Sequence, residues 1–234
     1  MISDAIQKLI DIARPPKILI GSKDYRLKEY EPVLKSVPPT LQINNLTGIQ
    51  DFVNLMVEPW GDVFIHVRDY NKVFLFECMT GAFNQRPAII EATSRPVRFQ
   101  FGKAMDIETF IISLNADFVQ TPDRDYLLKF VSGIKVDHNA TMEDDGVSQT
   151  LKARLGASSL IKDIPIKNIV DLAPFRTFSE IEQPVSKFLF RLVLDADKQP
   201  RCVLFEADGE AWKQDAIREI KLFLKDTTNE QVIA

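Results

Sequence analysis

The chain has 234 residues, of which 45% are hydrophobic and 26% are charged. A chain of this length and balance forms one globular domain or two small ones, and it buries a core without disulfides or metals. It carries 29 Lys and Arg against 33 Asp and Glu, for a formal charge of -4. This charge excludes a globally basic nucleic-acid coat and a polybasic membrane binder, but it allows a local basic groove.

The scarcity of His and Cys argues against whole classes of chemistry, since the chain has only 2 of each. Cys78 and Cys202 lie in apolar runs without CxxC spacing, and His66 and His138 alternate with apolar residues. We interpret all four as strand residues rather than as nucleophiles, bases or metal ligands. The sequence shows no Gly-rich phosphate loop, no transmembrane run and no signal-peptide pattern. We therefore expect a cytoplasmic protein without a cofactor.

Apolar spacing predicts alternating helices and strands in the first half of the chain. In order, they are a helix at 3–13, strands at 17–20 and 41–43, a helix that begins at a capping box at 47–50, a hairpin of 62–68 with 72–79, strands at 86–92 and 97–101, and helices that begin near Asp106 and Thr121.

The second half is dominated by predicted hairpins. They are a long amphipathic hairpin of 134–142 with 147–155, strands around 164–172, a hairpin of 187–194 with 201–206, a helix at about 209–225 and a flexible tail at 226–234. The fold class predicted is α+β, with mostly antiparallel β-hairpins and about five helices. The chain would be a single domain over 1–234, or two packed lobes of about 1–132 and 133–225.

Basic and aromatic residues cluster in two stretches and form the candidate nucleic-acid or ligand contacts. They are Arg86, Arg95, Arg98, Phe99, Phe101 and Lys103 in the first stretch, and Lys152 and Arg154 on the polar face of the long hairpin. Arginine with exposed aromatic rings on a sheet can stack single-stranded nucleic acid. The alternative is a charged outer face that keeps the sheet soluble.

Four carboxylates close apolar strands and are a weaker candidate for a metal site: Glu77, Glu91, Glu206 and Asp208. They would hold a hard cation only if their strands converge. For Asp208, the alternative is a cap on the last helix.

Three phrases in the last third carry a family resemblance: FRTFSEIEQP at 175–184, FLFR at 188–191 and LFEADGEAW at 204–212. The same layout includes PPTL at 38–41, a helix start at 48–52 and the 62–78 hairpin. Over about residues 35–225 the chain resembles the YfdQ-like family of phage and prophage proteins. The resemblance implies a protein encoded among phage replication and recombination genes, and it carries over no catalytic residue.

We therefore expect a non-enzymatic binding or assembly protein that acts in the host cytoplasm, in phage DNA metabolism or host takeover. It would be a homo-oligomer with a host or phage protein as a further partner, and the 134–155 hairpin is a candidate assembly arm. The alternatives are an anti-defence inhibitor or nucleotide-sequestering protein, a metal-dependent nuclease or phosphohydrolase, and a single-strand-binding or annealing protein.

Overall fold

The structure is a computed structural model. It describes residues 37–55, 61–79, 86–95, 97–134, 166–197 and 199–234 in full, the side chain of Gln149, and positions 6 and 8. It also describes the backbone of the strands at 17–20, 23–26, 141–144, 149–154 and 161–165. The helix predicted at 3–13 lies outside these residues, apart from positions 6 and 8.

In chain order the elements are β1 (Lys17–Ile20), β2 (Lys23–Arg26), β3 (Leu41–Ile43), α1 (Thr47–Asn54), β4 (Val63–Asp69), β5 (Lys72–Glu77), β6 (Ala88–Thr93), β7 (Met105–Asp106), α2 (Ile107–Asp117), α3 (Pro122–Ser132), β8 (Thr141–Asp144), β9 (Gln149–Arg154), β10 (Ile161–Pro165), β11 (Ile169–Leu172), β12 (Ser186–Leu194), β13 (Pro200–Glu206), α4 (Trp212–Thr227) and β14 (Gln231–Ile233).

The fold is α+β, but it differs from the predicted description in two ways. The described residues contain four helices rather than about five. The five-stranded sheet, in the order β14-β4-β5-β6-β3, is mixed, because β14 pairs with β4 and β3 pairs with β6 in parallel. Parallel partners are joined by long connections rather than hairpin turns, so local turn signals in the sequence did not reveal them.

The chain forms two lobes, each with its own hydrophobic core. In the five-stranded lobe, α1 and α4 contribute to the core against the five-stranded sheet. In the four-stranded lobe, α2 and α3 pack on the sheet β11-β12-β13-β7. Each core combines residues from both sides of residue 132: the five-stranded lobe takes in α4 and β14, and the four-stranded lobe combines α2 and α3 with β11, β12 and β13. The sequence analysis placed a possible boundary between two lobes near residue 132. The two hydrophobic cores do not follow that boundary.

Two of the three predicted hairpins are present: β4 pairs with β5, and β12 pairs with β13. In the described part of the third, at 134–155, β8 and β9 form the antiparallel pair. The segment 97–101 is not the predicted strand but an irregular segment. It is anchored because Phe99 is buried in the core of the four-stranded lobe and the amide of Gly102 donates to the carbonyl of Leu204.

The C-terminal residues 226–234, predicted as a flexible tail, instead continue α4 to Thr227 and then form β14. Val232 is 7% exposed and belongs to the core of the five-stranded lobe, while Gln231 and Ile233 on either side of it are exposed. This alternation over three residues is too short to predict a strand, and parallel pairing with β4 supplies the rest of its stability.

The strands β8, β9 and β10 form a separate three-stranded antiparallel sheet. Its link to the four-stranded lobe includes Gln149, which is 2% exposed. The amide of Gln149 donates to the carbonyl of Leu192 and accepts from the backbone N–H of Leu192, both at 3.1 Å. Within the described residues, no helix is long and apolar enough to cross a membrane.

Candidate functional site

Arg176 is a buried cation at the junction of the two lobes, with only 4% of its surface exposed. It lies in the connection between β11 and β12. A few residues further on, Phe178 and Ile181 enter the core of the five-stranded lobe. A buried charge is tolerated when it is paired and hydrogen-bonded, so the partners of Arg176 define what this junction is built to hold.

A carboxylate, a hydroxyl and an aromatic ring hold the guanidinium. Its Nη1 donates to Oε1 of Glu206 at 2.8 Å, and its Nη2 donates to Oγ of Ser186. Its Cζ lies 3.7 Å from the centroid of the Trp212 ring and 5.5 Å from that of Phe188. The planar cation is thus stacked on Trp212 and fixed in orientation by the end of β13.

Burial lowers the pKa of Arg176 to about 10, while the carboxylates of Glu206 and Asp208 oppose this shift. Arg176 therefore stays protonated at neutral pH. Its Nε, the Nε1 of Trp212 and the Oδ2 of Asp208 are buried and have no hydrogen-bond partner in the described part of the chain. Native folds keep few such groups, and a polar ligand is one reason to keep them.

The backbone around Arg176 is fixed by Gln183, whose side chain is 5% exposed. Its Oε1 accepts from the backbone N–H groups of Arg176 and Thr177 at 3.2 and 3.3 Å. Its Nε2 donates to the carbonyls of Phe178 and Ile181 at 2.8 and 3.2 Å. One amide side chain therefore closes the loop that presents Arg176, and the loop has little freedom to move away.

Two cavities lie between the lobes, and Ser94 and Arg95 line both of them. One has a volume of about 280 Å³ and is lined by aromatic and charged side chains that include Tyr70, Phe101, Arg176, Glu206, Trp212 and Lys213. The other has a volume of about 560 Å³ and is lined by residues that include Asn44, Asn45, Arg98, Asp117, Phe175 and Ser179. We call the two cavities together the interlobe cleft.

Some charged side chains of the interlobe cleft have an ion-pair partner among the described residues, and others do not. Lys213 pairs with Glu210 at 2.7 Å. Burial raises the pKa of Asp117, and the positive charge of Arg98 opposes that shift. Arg95 is exposed and makes no hydrogen bond or ion pair with the residues that the structure describes. Within the described part of the chain, it is thus a cation without an ion pair that lines both cavities.

Of the basic and aromatic residues predicted as contacts, Arg95, Arg98 and Phe101 line the interlobe cleft. Phe99 does not, because it is 5% exposed in the core of the four-stranded lobe and offers no surface to a ligand. Lys103 is exposed but does not line either cavity.

Three further predicted contacts lie away from the interlobe cleft or outside the described side chains. Arg86 lies over the ring of Phe64 in the five-stranded lobe, with its Cζ 5.4 Å from the ring centroid. Lys152 and Arg154 belong to β9, in which the structure describes the backbone and, of the side chains, only that of Gln149.

The four predicted strand-end carboxylates do not form one group. Glu77 ends β5 and Glu91 lies in β6, where Glu91 pairs with Lys72 at 2.5 Å. Glu206 is bonded to Arg176 in the other lobe, and Oδ1 of Asp208 accepts from the backbone N–H of Glu210 in the turn before α4. Among the described residues, no three His, Cys, Asp or Glu side chains lie close enough to hold a metal ion.

The Cys and His residues that the structure describes lie in strands or directly after one. Cys202 is buried in β13, and burial raises the pKa of its thiol to about 12, so the thiolate is not accessible at neutral pH. Cys78 is half-buried just after β5, and His66 lies in β4. His138 lies outside the described residues.

Sequence reasoning missed Arg176, Gln183 and Ser186 as members of the site. The signal was present in the resemblance phrases, because FRTFSEIEQP contains Arg176 and Gln183 and LFEADGEAW contains Glu206 and Trp212. These two phrases are separated in sequence but meet at the interlobe cleft. No family model, curated protein or solved structure matches this chain.

Proposed function

We propose that the chain is a non-enzymatic binding protein that holds a small anionic ligand of the nucleotide class in the interlobe cleft. We further propose that it is a phage or prophage protein acting in the host cytoplasm, where it serves phage DNA metabolism or host takeover. The observation that carries the first proposal is Arg95, a cation without an ion pair in the described residues that lines both cavities. The phage context rests on the resemblance of the phrases that meet at this cleft.

Nucleotides need a cation for the phosphate and a flat surface for the base. Arg95, Arg98 and Phe175 all line the larger cavity, and Phe175 is 45% exposed. Arginine forms charge-assisted, often bidentate hydrogen bonds to phosphate, and aromatic rings stack on bases. The cleft volumes, about 280 and 560 Å³, fall in the range of small-molecule sites when taken together.

Binding rather than catalysis is supported by the state of the acidic groups. Glu206 is bonded to Arg176 and Glu210 is bonded to Lys213, so neither carboxylate is free to take a proton from a reacting group. Arg95 therefore has an evident partner in a bound anion. The third carboxylate that lines the cleft among the described residues is Asp117, which lies near the positive charge of Arg98.

The test is calorimetric titration of the full chain with deoxyadenosine monophosphate, deoxyadenosine and inorganic phosphate. We expect the nucleotide to bind more tightly than either fragment, since the base and the phosphate use different residues. Arg95→Gln should weaken nucleotide binding about tenfold or more, as expected for losing a hydrogen bond to a charged group. Phe175→Leu should weaken binding of the nucleotide and the nucleoside alike.

Lys103→Gln is the matched control, because Lys103 is an exposed cation that lines neither cavity. An affinity unchanged by Arg95→Gln, or lowered equally by the control, contradicts the cleft as the site. Chromatography of a long incubation with ATP checks the second part of the proposal, and protein-dependent turnover would overturn the non-enzymatic assignment.

We also propose that the chain self-associates, with the β8–β10 sheet as the contact. This sheet has β8 and β10 as its outer strands, and an outer strand offers backbone groups to a second chain. Sedimentation equilibrium at several concentrations measures the mass, and a monomer throughout contradicts this part.

A further inference from the structure

In the part of the chain that the structure describes, only one face of the five-stranded sheet belongs to a hydrophobic core. Ile65, Val67, Val73 and Leu75 face the helices and are at most 1% exposed. Side chains alternate along a strand, so the residues between them point to the opposite face. On β4 and β5 these are Phe64, His66, Phe74 and Phe76, all half-buried and members of neither described core.

The four rings of this opposite face pack side by side. The ring centroids of Phe64 and Phe76 are 5.6 Å apart with planes 25° from parallel, and those of Phe74 and Phe76 are 5.4 Å apart at 23°. His66 lies 6.3 Å from Phe76. The rings form one row across two neighbouring strands, which we call the aromatic face.

Cations surround this row. The Cζ of Arg86 lies 5.4 Å from the ring centroid of Phe64, and the Cζ of Arg68 and Nζ of Lys72 lie 5.8 and 5.9 Å from that of Phe74. Arg68 and Arg86 are exposed and make no ion pair with the residues that the structure describes.

Of the three cations beside the rings, only Lys72 forms an ion pair with a residue that the structure describes. Lys72 pairs with Glu91, the carboxylate of β6 that accompanies these cations. The chain as a whole carries a formal charge of -4. A positive aromatic patch on an acidic protein favours an anionic, aromatic partner.

We propose that the aromatic face binds single-stranded nucleic acid, with bases stacked on the phenylalanine rings and phosphates bound by Arg68 and Arg86. Stacking on a row of aromatic rings with cations along the backbone path is how sequence-tolerant single-strand binding works. A duplex keeps its bases stacked on one another, so it cannot use the rings. A second copy of this chain is a poorer fit, because it would place Arg68 and Arg86 of two faces against each other. This inference is independent of the nucleotide site in the interlobe cleft.

The test is fluorescence anisotropy of the full chain with labelled dT20, labelled rU20 and a labelled 20-base-pair DNA duplex. We expect the single strands to bind more tightly than the duplex and to lose affinity steeply as salt rises. The dT20 and rU20 arms distinguish a DNA strand from an RNA strand. Absence of single-strand binding at low salt, or equal binding of the duplex, overturns the proposal.

Two variants locate the contact. Phe74→Leu keeps an apolar side chain but removes the ring, and Arg68→Gln removes one cation that has no ion pair with the described residues. Each should weaken dT20 binding about tenfold, and Arg68→Gln should also flatten the salt dependence. The matched control is Phe205→Leu. Phe205 lies in β13 of the four-stranded sheet and is 42% exposed.

Three results would overturn the proposal even if dT20 binds. The first is an equal loss in Phe74→Leu and Phe205→Leu. The second is a loss in Arg95→Gln as large as in Phe74→Leu, which would place the strand in the interlobe cleft. The third is dissociation of an oligomer by Phe74→Leu with dT20 affinity unchanged, which would make the aromatic face a contact between copies. Thermal unfolding of each variant checks that it is folded.

Discussion

The two lobes use phenylalanine in opposite ways. In the four-stranded lobe the rings fill the space between sheet and helices, where four of them are at most 1% exposed: Phe110, Phe118, Phe188 and Phe190. In the five-stranded lobe the core against the sheet is mostly aliphatic. The rings of β4 and β5 lie on the other side, in the aromatic face.

This difference separates what holds the molecule together from what meets a partner. A ring in a closed core gains from burial and from edge-to-face contacts, such as that of Phe99 with Phe118 at 5.0 Å and 88°. A ring on the outer face of a sheet gains only part of this, and it leaves apolar surface in water. The 16 Phe of the sequence therefore include both structural and contact residues, and the faces of the strands distinguish them.

The largest expected effect is on stability and falls in the four-stranded lobe. Phe118→Ala removes a ring that is 1% exposed and contacts Phe99, Phe101 and Phe188, so it should lower the free energy of unfolding by about 3–5 kcal/mol. Phe74→Ala on the aromatic face should cost about 1 kcal/mol or less, because it loses cross-strand contacts but leaves no closed cavity. Urea unfolding of both variants measures the difference, and equal losses would contradict the division of roles between the lobes.

A smaller effect is expected where the lobes meet. Arg176→Ala removes the stacking on Trp212 and the bond to Glu206, and we expect a loss of about 3 kcal/mol in the free energy of unfolding. Glu206→Gln should cost only about 1 kcal/mol, because 39% of the Glu206 side chain is exposed and its amide still accepts from Arg176. Chemical denaturation checks both values. If the two variants cost the same, the ion pair rather than the buried stack holds the junction.

Sequence patterns predicted the parts of the fold that are local. The hairpins β4–β5 and β12–β13 and the helix after Thr121 follow from alternation, turns and caps within a few residues, and the hydroxyl of Thr121 accepts from the N–H of Arg124 as expected. The parallel strands β3 and β14 depend on partners far away in the chain. No pattern within three residues predicts such a partner.

The candidate site was predictable only in part, for the same reason. Arg95, Arg98 and Phe101 were recognised as basic and aromatic residues near one another in the sequence. Arg176 reaches the cleft because the connection at 173–185 passes from one lobe to the other. Its partner Glu206 is 30 residues away in the sequence. The aromatic face was missed because alternation shows that a strand has two faces but not which one is covered.

The smallest expected effect concerns the N-terminal caps of two helices, α2 in the four-stranded lobe and α1 in the five-stranded lobe. In the four-stranded lobe, Asp106 caps α2 as predicted, because its Oδ1 accepts from the N–H of Thr109 at 2.9 Å. In the five-stranded lobe, the predicted capping box of α1 is absent, and Oε1 of Glu180 accepts from the N–H of Leu46 at 2.6 Å instead. The cap of α2 is local, whereas the start of α1 combines a local bond, from the N–H of Gly48 to Oδ1 of Asn45 at 2.9 Å, with a bond to a residue 134 positions away.

Asp106→Ala should lower the free energy of unfolding by about 1 kcal/mol at pH 7. Hydrogen bonds from Thr109 hold the pKa of Asp106 below its usual value. Since the folded-state pKa is the lower one, the stabilisation is complete above the unfolded-state value of about 3.9 and is lost as the pH falls through the folded-state pKa. The gap between the wild-type chain and Asp106→Ala should therefore shrink from pH 7 to pH 3. Asp106→Asn, which keeps an acceptor oxygen but does not titrate, should show no such loss of its capping contribution. Urea unfolding at both pH values decides the point, and a constant gap for Asp106→Ala would mean that the carboxylate charge contributes nothing to the cap.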